Sequence, residues 1–284
     1  MARIDVNGIG IEYELLGQAG NPAVAITPGG RFSKDAEGIG TFGESLIASG
    51  FQVLLWDRPN CGASDLCFDG EGESKIQALA LTGLIRKLDL GPTVIAGGSA
   101  GARVSLFAAL LDPEVVSHLV LWWISGGPVS LMMLGSSYCC EPAVAASMGG
   151  MEAVASMPAF AEQLERNPRN REILLSQDPV TFIETMGKWS KGFTPAQGLP
   201  FPGITREDYI GLKMPVMIFR GSPTDIFHPA YICEQVHELI PGSTLVDKPW
   251  GDDLFARRMM SGGGHFIDWH ELTPAITAFV RAQA

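Results

Sequence analysis

Short apolar runs alternate with longer stretches of helical spacing along most of the chain. The runs are AVAIT (23–27), FQVLLW (51–56), TVIAG (93–97), HLVLWW (118–123), VMIFR (216–220) and STLV (243–246). Runs this continuously apolar are what parallel strands look like when both faces are buried. Between and after them, positions 40–49, 74–89, 101–111, 229–240 and 270–282 read as helices. Two further strands, 3–6 and 11–15, alternate apolar and polar residues around Asn7-Gly8, a pair that accepts the positive φ of a tight hairpin turn. An antiparallel hairpin followed by six strands that alternate with helices predicts an α/β protein. Its sheet has eight strands, mostly parallel, with helices on both faces.

That rhythm breaks between Gly126 and Lys213, where prolines punctuate short helical pieces and no strand-like run occurs. Six of the eleven methionines fall there, beside Phe160, Phe182 and Trp189. A helical cap over 127–212, inserted after the sixth strand into a core of 1–126 and 213–284, accounts for the break. Flexible, polarizable methionines could mould to apolar ligands, although packing the cap onto the core is the simpler use of any one of them. The 284 residues, enough for one large or two small domains at about 150 residues each, are therefore read as one core with an insertion.

Composition narrows the partners. With 46% hydrophobic residues the chain can bury a large core, and a formal charge of −11 repels phosphate backbones and anionic lipid surfaces. A small-molecule substrate is expected, with neither nucleic acid nor membrane as partner. The apolar run at 119–124 is far shorter than the roughly 20 residues needed to span a bilayer, and the opening residues alternate rather than forming a leader, so a cytoplasmic protein is expected. Five cysteines, odd in number and without metal-type spacing, read as reduced packing residues. No metal or cofactor is called for, and the oligomeric state stays open, with a homodimer as one option.

The chemistry centres on Gly97-Gly98-Ser99-Ala100-Gly101, which follows an apolar strand and opens a helical run. G-x-S-x-G in that context places a serine on a sharp strand-to-helix turn, which small residues two before and two after allow. A phosphate-binding turn is the competing use, but this turn shows neither the G-x-G-x-x-G pattern nor a GK[ST] ending. Serine needs a base, and the base needs an orienting acid. Asp225, in the loop leaving the strand at 216–220, is the candidate acid; helix capping is its bland alternative, and Asp252 or Asp253 a remote substitute. Five histidines compete for the base. His265, closing the glycine run 262–264 before the last helix, is the expected one, with His270 as fallback; His228 stands three residues after Asp225.

Together these segments resemble the α/β-hydrolase superfamily, in its capped form. Asp57-Arg58-Pro59-Asn60-Cys61-Gly62-Ala63-Ser64-Asp65 is similar to the D-x-R-G-x-G-x-S-D segment after the family's fourth strand, and Thr27-Pro28-Gly29-Gly30 stands at its H-G-x-P oxyanion loop. The resemblance covers nearly the whole chain and implies an oxyanion hole from the backbone N–H groups of Gly30 and Ala100. Because Pro28 replaces the loop histidine, Arg31 is an alternative donor to Gly30.

A serine nucleophile, rather than a carboxylate, implies acyl chemistry. The function expected is hydrolysis of a carboxylic ester or lactone of a fairly apolar molecule through an acyl-enzyme on Ser99. Carbon–carbon bond hydrolysis of a β-diketone or ring-cleavage product is the second reading, and a non-catalytic ligand sensor the third. Expected substrate contacts are Arg31, Trp123, Met133, Trp189 and Phe266. Of Trp122 and Trp123, adjacent on a strand, one at most should face the ligand. Arg103 faces either the pocket or the helix surface, and the long segment 247–264 is a candidate pocket-flanking helix.

Overall fold

The computed structural model describes residues 1–283; Ala284, the last residue of the expected core segment 213–284, lies outside the described residues. A hairpin of β1 (Ala2–Val6) and β2 (Ile9–Leu16) opens the sheet, turning through Asn7 and Gly8 at φ 56° and 84°. Then follow β3 (Ala23–Thr27), β4 (Gln52–Trp56), β5 (Thr93–Gly98), β6 (Val116–Trp122), β7 (Val216–Phe219) and β8 (Thr244–Val246). The eight strands are ordered β1-β2-β4-β3-β5-β6-β7-β8. Only β1–β2 and β2–β4 pair antiparallel; the other neighbours are parallel, as their doubly buried sequences require.

Crossover helices cover both faces. They are α1 (Ile39–Ala48) after β3, α2 (Glu73–Lys87) after β4 and α3 (Ala100–Leu111) after β5. Between β6 and β7 come α4 (Gly127–Gly135), α5 (Glu141–Ala155), α6 (Pro158–Arg166), α7 (Arg169–Leu175), α8 (Pro179–Ser190) and α9 (Arg206–Gly211). The chain closes with α10 (Ala230–Leu239) before β8, then α11 (Leu254–Ser261) and α12 (Thr273–Arg281). Alternating strand residues feed two cores. Val24, Ile26 and Trp122 pack with Phe42 of α1 and Ile276 of α12, whereas Ala25, Ile95 and Leu121 pack with Leu81 of α2 and Val104 of α3. Each such buried aliphatic or aromatic side chain stabilises the fold by about 1.5–3 kcal/mol. The last expected helix, 270–282, begins as α-helix only at Thr273, because Pro274 is tolerated in a first turn and not further in; a tight 3₁₀ stretch, Ile267–Leu272, precedes it.

The insert between β6 and β7 has its own apolar cluster, in which Phe160, Leu174, Phe182, Met186 and Trp189 enclose Leu66 and Phe68 from the loop after β4. Phe68 lies nearly parallel to Trp189, ring centroids 6.0 Å apart, and edge-on to Phe182 at 5.2 Å. Amides fasten the insert to that same loop: Asn170 accepts from Leu66 N–H (2.8 Å) and donates to the Ser64 carbonyl (2.9 Å), and Gln163 donates to the Asn60 carbonyl (3.2 Å). All five cysteines are free thiols. No helix among the described residues is long and apolar enough to cross a membrane.

Candidate active site

Strand register puts the serine where the sheet ends. Gly97 pairs with Thr27 of β3 and Gly98 with Trp122 of β6, so β5 delivers Ser99 between two neighbours at the carboxyl edge. Ser99 takes φ 58° and ψ −123°, a conformation that costs a non-glycine residue about 1–3 kcal/mol and is held by its surroundings. The flanking glycines are sterically required. A Cβ on Gly101 would fall on the Thr27 carbonyl, and one on Gly97 on the Gly101 carbonyl. Directly after Ser99, α3 begins with unpaired backbone donors and the positive end of its dipole.

Asp225 and His228 meet this serine together. His228 Nε2 lies 2.9 Å from Ser99 Oγ, and His228 Nδ1 lies 2.9 Å from Asp225 Oδ2. The other carboxylate oxygen of Asp225 accepts the backbone N–H groups of Phe227 (2.9 Å) and His228 (3.0 Å). An aspartate that binds the amides two and three residues ahead closes an Asx-type turn, which swings His228 round onto its own acid. Both residues are buried. The imidazole is clamped between Trp123, nearly parallel at 5.6 Å, and Phe255, edge-on at 4.7 Å. With Nδ1–H donating to Asp225, Nε2 is left to accept the serine proton.

The expected partnership is therefore corrected: the histidine joined to Ser99 is His228, and His265 makes no hydrogen bond to it. His265 lines the same cavity, with its ring 5.4 Å from Phe32 and its Nδ1 buried and without a partner among the described residues. Its loop is tied elsewhere, since Phe266 backbone presses so closely on Gly38 that no Cβ would fit there. Desolvation holds the His265 pKa below that of an ordinary imidazole. The fallback, His270, bonds the Ile267 carbonyl at 2.8 Å, and Asp252 pairs with Lys248 at 2.6 Å. The i,i+3 spacing Asp225-Ile226-Phe227-His228 is the sequence signal for this pair, because it permits the Asx-type turn that joins them.

Gly30, at φ 52°, and Ala100 both border the cavities around Ser99. Their N–H groups have no acceptor among the described residues. Buried Arg58 organises this loop by donating to the carbonyls of Gly29 (3.2 Å), Gly30 (2.8 Å) and Phe32 (3.3 Å). In a trans peptide the N–H opposes the C=O, so the Gly30 amide points away from Arg58. Asp57, fully buried, accepts from Lys34 N–H at 2.6 Å and Ala63 N–H at 2.8 Å, joining the loops after β3 and β4; burial raises its pKa. The Asp57–Asp65 segment is thus the scaffold of the loop that carries Gly30.

A cavity of about 250 Å³ opens over Ser99, walled largely by Trp123, Phe227, Phe255, Phe266, Leu134 and Tyr138. Trp123 and Phe266 line it, and Trp122 packs beneath, edge-on to Trp269 at 4.7 Å. α11, within 247–264, contributes Phe255 and Met259 to the wall. Three expected contacts are corrected. Arg31 is buried in an ion pair with Glu73 at 3.2 Å; burial lowers its pKa, yet Glu73 more than offsets this and the net direction is up. Met133 is exposed outside the cavity, and Trp189 is buried in the insert's own cluster, its Nε1 donating to the Gly70 carbonyl at 3.1 Å.

No family model matches the chain. The 2-hydroxy-6-oxononadienedioate/2-hydroxy-6-oxononatrienedioate hydrolase 1 of Pseudomonas putida is 38% identical over 87 residues, which is 31% of this chain and 30% of that protein. The chain thus matches about a third of the length of such curated relatives. Solved structures are similar throughout. An α/β hydrolase from a Medee basin deep-sea metagenome library superposes with TM-score 0.62 and 19% identity over 99% of this chain and 96% of that one. The enol-lactonase of Burkholderia xenovorans LB400 does so with TM-score 0.59 and 18% identity over 99% of each chain. The chain has the α/β-hydrolase fold.

Proposed function

We propose that the chain is a serine hydrolase that cleaves a carboxylic ester or lactone of a fairly apolar small molecule. The observation that carries this reading is the hydrogen-bonded series Asp225, His228, Ser99, which ends inside an apolar cavity. His228 takes the Ser99 proton as Oγ attacks the acyl carbonyl, and Asp225 steadies the imidazolium. The oxyanion is held by the N–H groups of Gly30 and Ala100, oriented before the charge develops. Collapse expels the alcohol, which leaves with the proton from His228. Water then enters, loses a proton to His228 as it attacks the acyl carbonyl, and collapse releases the acid while His228 returns that proton to Ser99 Oγ. The insert acts as the cap, since Leu134 and Tyr138 close the cavity from its side.

A second reading, carbon–carbon bond hydrolysis, is favoured by the curated relative, whose name specifies a hydrolase of a 2-hydroxy-6-oxo dienedioate or trienedioate. The two separate on a substrate panel. The ester reading expects turnover of p-nitrophenyl esters or lactones and a mass increment on Ser99 equal to the acyl group. Turnover confined to β-diketones or vinylogous acids would replace it with the second reading, and failure of every class together with no Ser99 adduct would overturn both.

A further inference from the structure

Arg103 is a buried cation that has no counter-ion. It sits one turn into α3, four residues after Ser99, with 9% of its surface exposed. Its Nη2 donates to the carbonyls of Gly192 and Pro202, its guanidinium faces the rings of Phe193 (5.0 Å), Phe201 (5.6 Å) and Phe107 (5.9 Å), and its Nε is buried with no acceptor. Among the described residues no carboxylate pairs with it, whereas the comparably buried Arg31 has Glu73. Burial draws the Arg103 pKa down to about 10, still well above neutrality, so the charge stays. An uncompensated buried charge is costly unless something pairs it, and here two backbone carbonyls and three ring faces meet the cation while no anion among the described residues neutralises it.

A small space lies between the nucleophile's cavity and this charge. A narrow enclosed cavity of about 20 Å³ shares Gly30, Ser125, Leu134 and Tyr138 with the cavity over Ser99. At its other end it shares Glu73, Ser74, Arg103 and Phe193 with a cleft of about 430 Å³. That cleft also carries Lys188 and Lys191, which form no ion pair among the described residues; its Lys75 is paired with Glu71. About one water fits a space of this size, so nothing wider than an unbranched chain enters it. Ser99 and Arg103 lie about one helical turn apart, their backbones roughly 6 Å from each other, which keeps the acyl chain short.

We propose that Arg103 is an anion subsite that receives the terminal carboxylate of a linear acyl chain whose carbonyl is attacked by Ser99, so that the preferred substrates are half-esters of short dicarboxylic acids. The inference rests on the serine-hydrolase reading, and deepens it by naming the acyl group.

Its test compares mono-p-nitrophenyl adipate with neutral p-nitrophenyl hexanoate in the wild type, Arg103→Gln and Arg103→Lys, and measures the melting temperature of Ser99→Ala with and without adipate. The wild type should favour the anionic ester by at least about tenfold in kcat/KM, the range of a hydrogen bond to a charged group. Arg103→Gln should lose about 10- to 100-fold more on the anionic ester than on the neutral one, with Arg103→Lys in between, and adipate should raise the Ser99→Ala melting temperature. A purely structural Arg103, bridging Gly192 and Pro202, would lower both esters equally. Hydrolysis of the neutral ester with no anionic preference and no effect of adipate would overturn the subsite and leave the serine hydrolase standing. Neither ester hydrolysed, with adipate still stabilising Ser99→Ala, would sustain the subsite and overturn the reading it rests on.

Discussion

His228 Nε2 stands 2.9 Å from Ser99 Oγ across 129 residues of sequence, while the acid that orients the imidazole, Asp225, is only three residues away. His228 and Asp225 thus belong to one loop between β7 and α10, preassembled by the hydrogen bonds from Phe227 and His228 N–H to Asp225. Only the serine must be brought to them, and the register of β5 between β3 and β6 does so.

Replacing Asp225 with asparagine separates orientation from folding. The amide oxygen can still accept the two backbone N–H groups, but the amide nitrogen would donate to His228 Nδ1 and place the imidazole proton on Nε2, facing Ser99. Turnover is expected to fall about 10⁴-fold with the thermal unfolding profile little changed. Steady-state kinetics beside circular dichroism check it; near-normal turnover would contradict the role given to Asp225.

The elbow tolerates no added methyl. Gly101→Ala would drive a Cβ onto the Thr27 carbonyl, and a cost of about 1–3 kcal/mol or more is expected in urea unfolding. Gly40→Ala, within α1 where a Cβ meets nothing within 4 Å, should instead be neutral or stabilising by up to about 1 kcal/mol. Equal effects at the two sites would remove the steric argument.

Arg58 acts on the reaction through the loop it holds. Arg58→Met releases the carbonyls of Gly29, Gly30 and Phe32. With the Gly30 donor no longer aimed, kcat should drop by about 10²- to 10³-fold while KM changes little. A pure KM effect would place Arg58 in binding instead.

Acid sensitivity follows from His118, buried on β6 against Phe279 at 5.5 Å, with neither ring nitrogen bonded among the described residues. Desolvation lowers its pKa, so the unfolded chain takes up a proton near pH 6.5 that the folded chain still refuses. Stability therefore falls as pH drops below about 6.5, and the loss is complete once pH lies beneath the lowered native value. His118→Leu should shrink the difference in unfolding free energy between about pH 7.5 and pH 5, and an unchanged difference would contradict this.

Much of this was readable in the residue order. Alternation of apolar runs with helical stretches located the strands and the crossover helices outside the insert, because parallel strands buried on both faces leave little freedom of composition. Gly97 and Gly101 marked the elbow, because a strained serine excludes side chains beside it. What escaped was direction. A glycine run before His265 says that the loop can bend, not where its imidazole points, whereas the Asx turn that aims His228 depends on two backbone hydrogen bonds that a spacing of three only permits. Met133 and Trp189 were misplaced for a related reason: a helical insert with its own core has the same methionine-rich, aromatic composition as one that lines a ligand cavity. Arg31 was hidden by its ion pair with Glu73, 42 positions further on.

The central claim, that His228 activates Ser99, is tested most directly by the rate at which a fluorophosphonate labels Ser99, followed by intact-protein and peptide mass spectrometry in the wild type, His228→Ala and His265→Ala. Rapid labelling of Ser99 in the wild type, lost by about 10³-fold or more in His228→Ala and largely kept in His265→Ala, is the predicted result. Labelling that survives in His228→Ala and disappears in His265→Ala would contradict it.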